Sequence, residues 1–165
     1  MEIINATIHH IPSIISIAKV TWNATYRDII SQAQIDYMLQ LFYNEKTLYE
    51  QINHPQHHFW VLTHQNELIG YAQCIEDEND CKVLKLSKLY VSPNTQQKGA
   101  GKLLMTNIEK ACDTLNKSIL TLNVNRQNTA KTFYEKMGFK VVEEIVIPLG
   151  NYWLNDYVMQ KNLEI

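Results

Sequence analysis

Hydrophobic positions recur along this chain with two different periods, and the change from one to the other divides it into a helical and a strand-rich part. Ile11, Ile14, Ile15 and Ala18 return at intervals of three and four, the spacing that lines one face of an α-helix. Pro12 is tolerated in a first turn, so the pattern predicts an amphipathic helix from His10 to about Thr21, laid against a sheet. Ser31 suits the cap of a second helix with Ile35, Met38, Leu39 and Phe42 on one face, and Asn44 that of a third with Leu48 and Ile52, because both offer a side-chain oxygen to an orphan first-turn amide. Between the first two helices sits Thr21-Trp22-Asn23-Ala24-Thr25-Tyr26. Trp22 and Tyr26 in this segment are candidates for an acceptor pocket, although burial in the core competes for aromatics of that size.

Beyond these helices the period shortens. Residues 59–63 and 68–75 read as strands joined by the polar turn His64-Gln65-Asn66-Glu67, and 81–91 as a strand after the acidic connection Glu76-Asp77-Glu78-Asn79-Asp80. A helix follows with Leu103, Leu104, Ile108, Ala111, Cys112 and Leu115 apolar, then a strand at 119–124, a helix at 128–137 and strands at 139–147 and 152–159. Gly138 fits the position just past a helix end. The succession predicts an α+β fold in which helices cover the faces of one sheet, as a single domain over residues 1–165.

Between the strand ending near Ser92 and the helix beginning near Lys102 lies Gln96-Gln97-Lys98-Gly99-Ala100-Gly101. Gly99 and Gly101 reach backbone angles closed to other residues and carry no side chain, so a ligand can approach the main chain. The orphan amides of the next helix, at its positive dipole end, make a site for a pyrophosphate. Leu103 after Lys102 rules out the G-x-x-x-x-G-K-[ST] phosphate loop, and no G-x-G-x-x-G occurs.

Gln96, Gly99 and Gly101 meet the Q/R-x-x-G-x-G/A signature, and with it the chain resembles the GCN5-related N-acetyltransferase (GNAT) superfamily. Leu89-Tyr90-Val91-Ser92-Pro93 resembles that family's fourth strand, and Asn128-Thr129-Ala130-Lys131-Thr132-Phe133-Tyr134 opens what resembles its next helix. The resemblance implies a GNAT-type mixed, mostly antiparallel twisted sheet flanked by helices on both faces, with acetyl-CoA as co-substrate. It implies that the amides of Gln97, Lys98, Gly99, Ala100, Gly101 and Lys102 hold the pyrophosphate, with Gln96 in the same loop. Leu89 and Val91 would bond the pantetheine arm through their backbones, and Tyr134 would face the sulfur as general acid. Asn128 stands one residue from the family's usual Asn and is assigned its coenzyme-contacting role; Lys102 and Lys136 are candidates for the phosphates.

Within the family the chain is similar to the bacterial polyamine N-acetyltransferase branch, through its length, the Thr21-Trp22…Thr25-Tyr26 region and the ending Asn155-Asp156-Tyr157-Val158-Met159. The expected reaction is acetyl transfer to a primary amine, spermidine or spermine first. A peptide N-terminus, an amino acid or an amino sugar is the alternative acceptor, and a non-catalytic CoA-binding regulatory module the alternative class. Family members often carry a glutamate base on the fourth strand, but Lys85-Leu86-Ser87-Lys88-Leu89 holds none. Three substitutes stay open: water leading to the acids of residues 76–80, a more distant carboxylate such as Asp28, or capture of an amine already neutral. Asp28 and Glu76, with their acidic neighbours, are candidates to attract a distal ammonium.

Composition narrows the classes. Fifteen Lys and Arg against seventeen Asp and Glu give a net charge of −2, without the basic stripe of a nucleic-acid binder. No apolar run approaches the ~20 residues that span a bilayer, and no basic lead into an apolar stretch suggests secretion, so a cytoplasmic enzyme without a membrane partner is expected. Cys74, Cys81 and Cys112 are odd in number and lack C-x-x-C spacing, as small core residues in a reducing compartment would. His54, His57, His58 and His64 are interrupted by Pro55 and joined by no carboxylate or thiolate at ligand spacing, so no metal is expected. By resemblance a homodimer is compatible with the family.

Overall fold

In the computed structural model, which describes residues 1–95 and 97–164, the two helix caps form as their residue types dictate. Ser31 Oγ accepts the Gln34 N–H at 3.1 Å, and Asn44 Oδ1 accepts that of Thr47 at 2.8 Å. The elements run β1 (Glu2–Asn5), a 3₁₀ turn (Ile8–His10), α1 (Ile11–Tyr26), α2 (Gln32–Phe42), α3 (Glu45–Asn53), β2 (His57–His64), β3 (Glu67–Glu76), β4 (Val83–Val91), α4 (Ala100–Thr114), β5 (Ile119–Asn125), α5 (Ala130–Lys136), β6 (Lys140–Leu149) and β7 (Tyr152–Asn162). The strands form one sheet in the order β1-β2-β3-β4-β5-β7-β6. Only β4 and β5 pair in parallel; the other neighbours are antiparallel. The α+β sheet expected from the periodic pattern, with the mixed, mostly antiparallel pairing that the family resemblance implies, is the one observed.

Two cores flank it. Leu104, Met105, Ile108 and Cys112 of α4 pack on Ala72, Cys74, Leu84, Leu86, Leu120 and Leu122 on one face. Ile14, Ala18 and Trp22 of α1, with Ile35, Met38 and Leu48, cover Phe59, Val61 and Tyr71 on the other. Strand β3 is therefore buried on both faces from Ile69 to Cys74, which is why Gly70 is small: a Cβ there would lie 2.9 Å from the Tyr90 carbonyl.

Three expectations change. Residues 22–26 are not a connector but the last turns of α1; nothing between Thr21 and Tyr26 breaks a helix, and Thr21 and Trp22 are buried. Strand β1 was not foreseen, since Ile3 and Ile4 alone make too short an alternation; its ladder to residues 60–63 creates it. Cys81 is exposed in the loop before β4, unlike the buried Cys74 and Cys112.

The detail that shapes the site lies in β4. Gln73 pairs with Lys88 but Cys74 with Leu86, so Ser87 is the extra residue of a bulge, which bends its strand and re-aims the residues beyond it. Leu84 and Leu86 belong to the core under α4, whereas Tyr90, beyond the bulge, packs against the core under α1. The ladder to β5 ends at the same point, with Leu86 opposite Leu122, although β4 continues to Val91 and β5 to Asn125. The two parallel strands part from there on.

Candidate functional site

A cavity of about 570 Å³ opens where the strands part. Leu89, Tyr90 and Val91 of β4 form one wall, Asn123 and Val124 of β5 the other, and Asn128, Phe133 and Tyr134 close it from α5 and its approach. Past the last β4–β5 pair, the β4 edge offers its main-chain groups to an extended ligand, as a sheet edge does to an added strand. At one end of this opening stands α4. Gly99 caps that helix in the left-handed conformation, φ +83°, and among the described residues nothing beyond its chain neighbours lies within 4 Å of where a Cβ would be. The first-turn amides that follow lack helical acceptors and carry the positive end of the helix dipole.

A second cavity of about 270 Å³ lies on the α1–α2 side. Trp22, Tyr26, Tyr43 and Tyr90 give it aromatic walls, and Lys85, Lys88 and Asp156 its charges. Tyr26, Ser87, Lys88, Tyr90 and Asn123 line both cavities, so the two meet at the bulge. One opens towards the N-terminal end of α4, where Gly101 lies against Phe133 of the cavity lining, and the other is aromatic with a single carboxylate.

Tyr134, on α5, is buried with Phe133 and Phe139 against its ring. Burial holds its hydroxyl well above the ordinary phenol pKa, so it is neutral and a hydrogen-bond donor. Asp156, on β7, is 9 % exposed. Desolvation raises its carboxyl pKa, against the pull of Arg126 and Lys85. Arg126 bonds the Asp156 main-chain carbonyl instead, and among the described residues no donor occupies the carboxylate. Lys88 is 6 % exposed; its Nζ donates to Gln51 Oε1 at 2.9 Å and to Gln73 Oε1, and burial lowers its pKa to about 8.

The structure therefore brings together Trp22, Tyr26, Leu89, Val91, Asn128 and Tyr134 of the sequence-derived candidates. Asn128 also serves the fold, its Oδ1 accepting the Ala130 N–H at 2.9 Å. Residues 97–102 form the turn and first turn of α4, with Lys98 and Lys102 exposed; Lys136 is exposed on α5. Gln96 lies outside the described residues. Asp28 stands apart, its side chain exposed beside Arg27. Glu76 stands apart too: it pairs with Leu84, before the bulge, and lines neither cavity. Its acidic neighbours fold into their own turn, where Asp77 Oδ1 accepts the Asn79 and Asp80 amides. His58 bonds Glu76 and His57 bonds Gln73, and no metal-ligand cluster exists among the described residues. Nor is any described helix long and apolar enough to cross a membrane.

Glu76 is instead structural. Its Oε2 lies 2.7 Å from the Nζ of Lys117, a buried lysine, and that bond, with a second from His58, lowers its pKa. Stability linked to a depressed carboxyl pKa is present above the unfolded-state value, ~4.3, and fades as pH falls through the folded-state value. Glu76→Gln should cost about 3 kcal/mol in urea unfolding at pH 7, because it strands a buried ammonium. That deficit should shrink steadily below pH 4.

Lys88 and Asp156 escaped the sequence reading. A signal existed for Asp156: Leu154, Asp156 and Val158 form one period-2 series on β7, and a carboxylate in such a series is a polar residue on an apolar face. None existed for Lys88, because the bulge that turns it is not written in residue types.

A model of the acetyltransferase (GNAT) domain matches residues 27–155 of the chain. A spermidine N(1)-acetyltransferase of Thermoplasma acidophilum is 29% identical over 171 residues, covering 99% of this chain and 98% of that one. An uncharacterized N-acetyltransferase of Lactobacillus delbrueckii subsp. lactis is 28% identical over 169 residues, with 99% and 98% covered. The crystal structure of the PaiA N-acetyltransferase from Thermoplasma acidophilum in complex with coenzyme A superposes with a TM-score of 0.84 at 28% identity, covering 98% of each chain.

Proposed function

The chain belongs to the GNAT acetyltransferase family, and from that premise we propose that it moves the acetyl group of acetyl-CoA to a primary amine of a polyamine such as spermidine or spermine. The observation that carries the acceptor is Asp156, a carboxylate without a hydrogen-bond donor among the described residues, in an aromatic-walled cavity that meets the strand opening. An ammonium group is what such a cavity takes, through the carboxylate and through the π-faces of Trp22, Tyr26 and Tyr43. The similarity to the Thermoplasma spermidine N(1)-acetyltransferase, along nearly the whole of both chains, supports it.

The residues fit acetyl-CoA. Left-handed Gly99 leaves the amides of residues 97–102 able to hold a pyrophosphate; Leu89 and Val91 would bond the pantetheine arm through the β4 edge, near Asn128, and the exposed Lys102 and Lys136 would pair with phosphates. Acetyl-CoA supplies an activated acyl carbon and a thiolate leaving group. The Val91 N–H is a donor for the thioester oxygen as charge grows there. The neutral Tyr134 hydroxyl donates to the departing sulfur; its raised pKa favours a hydrogen bond over full proton transfer. Tyr134→Phe should keep the dissociation constant for acetyl-CoA and lower kcat at least about tenfold, an interaction made only in the transition state. Isothermal titration beside steady-state kinetics checks both halves.

An amine panel with acetyl-CoA, read by free thiol release, tests the acceptor. Spermidine and spermine should exceed amino acids, peptide N-termini and aminoglycosides in kcat/KM. Lys85 favours a second reading: a cation on the same cavity wall suits an acceptor with a carboxylate near its amine. Turnover of amino acids or peptides without polyamines would install that reading instead.

A further inference from the structure

An amine must be neutral to attack, and an alkylammonium of pKa ~10.4 leaves only about one molecule in a few thousand neutral at pH 7. Lys88 is placed to change that. It lines both cavities at the point where they meet, and its Nζ lies 5.7 Å from the centre of the Tyr43 ring, a wall of the acceptor cavity. Its hydrogen-bond partners are two amide oxygens, from Gln51 on α3 and Gln73 on β3. Gln73 is itself fixed, its Nε2 3.1 Å from His57 Nδ1. An uncharged lysine amine has two N–H groups and one lone pair, so these oxygens consume both donors and leave the lone pair. A buried ammonium would instead ask for a carboxylate, and among the described residues none bonds it.

We propose that Lys88 takes up the proton that the acceptor ammonium must lose before its nitrogen attacks the thioester. The step balances. One proton passes from the acceptor nitrogen to Lys88 Nζ; the freed lone pair forms the C–N bond as the C–S bond breaks. The second proton, released from the new amide nitrogen, reaches the thiolate on the Tyr134 side. Lys88 then returns its proton to water, and the net products are the N-acetyl amine, the thiol and one H⁺.

Two amines in one low-dielectric cavity disfavour a double charge, as paired carboxylates do. The cavity thus holds one proton between substrate and lysine, and a neutral acceptor becomes a populated state. A carboxylate near pKa 4 would receive that proton with a penalty of ~10⁶-fold, an amine of ordinary basicity with almost none. Lys88, lowered to about 8 by burial, stands between them and close to working pH, where a general base is most effective. The titratable groups around it are His57 on β2, Tyr43 after α2, Tyr26 on α1, Lys85 and Tyr90 on β4, and Asp156 on β7. The Lys85 cation favours its neutral form and Asp156 opposes it; burial holds His57 towards its neutral form, and the buried tyrosines stay uncharged.

The inference rests on amine acetylation, and the test separates the two. Wild-type protein labelled with ¹³C at lysine Cε is titrated without substrate, and kcat is followed against pH with acetyl-CoA and spermidine for wild type, Lys88→Met and Asp156→Asn. We expect a Lys88 midpoint near 8, as its burial implies, coinciding with the rising limb of the wild-type kcat profile. Lys88→Met should keep acetyl-CoA affinity within about threefold, lose at least about 30-fold in kcat at pH 7.5, and climb past pH 9 without that limb, a loss within the range of general-base catalysis. A Lys88 midpoint above 10 overturns the proposal. So does a Met variant with the wild-type limb intact, and above all one accompanied by loss of the limb in Asp156→Asn. Should Lys88→Met not fold, the wild-type midpoint and its match to the limb decide. If spermidine is not turned over, the polyamine reading falls, and the same profile is run with the panel's best acceptor.

Discussion

Replacing Asp156 with asparagine should lower kcat/KM for the proposed polyamine acceptor by about 100-fold and leave the dissociation constant for acetyl-CoA unchanged, which steady-state kinetics beside titration calorimetry checks. The magnitude follows from removing the charged partner of a desolvated ammonium, which costs roughly 2–5 kcal/mol, or more than an order of magnitude in affinity. Asparagine keeps the shape, so the loss reports charge. The same substitution should not destabilise the fold. A carboxyl whose pKa is raised by burial binds its proton more tightly folded than unfolded, so its stability contribution is lost as pH rises through the folded value. At pH 7 the ionised Asp156 is therefore a burden, and Asp156→Asn should melt at the wild-type temperature or above it. Function lost with stability kept or gained is the signature of a residue held for the substrate. A variant that loses both equally would make Asp156 a structural residue.

How this site could have been read from sequence differs sharply among its parts. The glycine turn stands out by its own residues, whereas Leu89, Val91 and Tyr134 become candidates only through the resemblance to the family; the structure sets the last three around one cavity. The two cores were legible too, since α4 and the strands carry unbroken periodic patterns. The aromatic wall was half legible. Trp22 and Tyr26 stood out as a cluster, yet the segment holding them is helix, and only the continuation of α1 to Tyr26 aims them at the cavity.

The charges of the acceptor cavity were not legible, and the causes are physical. Asp28 and Glu76 stand out in the sequence only as acids able to attract a distal ammonium. Whether an acid serves a substrate depends on who neutralises it, and Glu76 is claimed by Lys117. Asp156 lies far along the chain from α1, and β7 reaches the site only by inserting between β5 and β6. Lys88 needs the bulge at Ser87 as well. A one-residue irregularity reverses which face every later side chain meets, and so it decides which residues of β4 line the aromatic cavity.

Valine at Gly99 should raise the dissociation constant for acetyl-CoA about 30-fold, and the control is asparagine. The residue holds φ +83°, where a left-handed backbone costs an L-residue ~1–2 kcal/mol and a β-branched one more. Among the described residues nothing beyond the chain neighbours lies within 4 Å of the added Cβ, so the penalty there is conformational rather than steric. The chain can shed it by turning Gly99 to negative φ. That move swings the peptide planes on either side and takes the amides ahead of α4 out of the common direction a pyrophosphate requires. Packing of Ala100 and Leu104 beneath the turn is fixed by the core, so the helix itself should survive and the melting temperature fall only slightly. Asparagine adopts left-handed angles readily and should hold affinity within about fivefold. If both variants bind acetyl-CoA as wild type does, by titration calorimetry, the turn is no phosphate site and the reading built on it fails; if both lose binding alike, the side chain and not the backbone angle is what the ligand refuses.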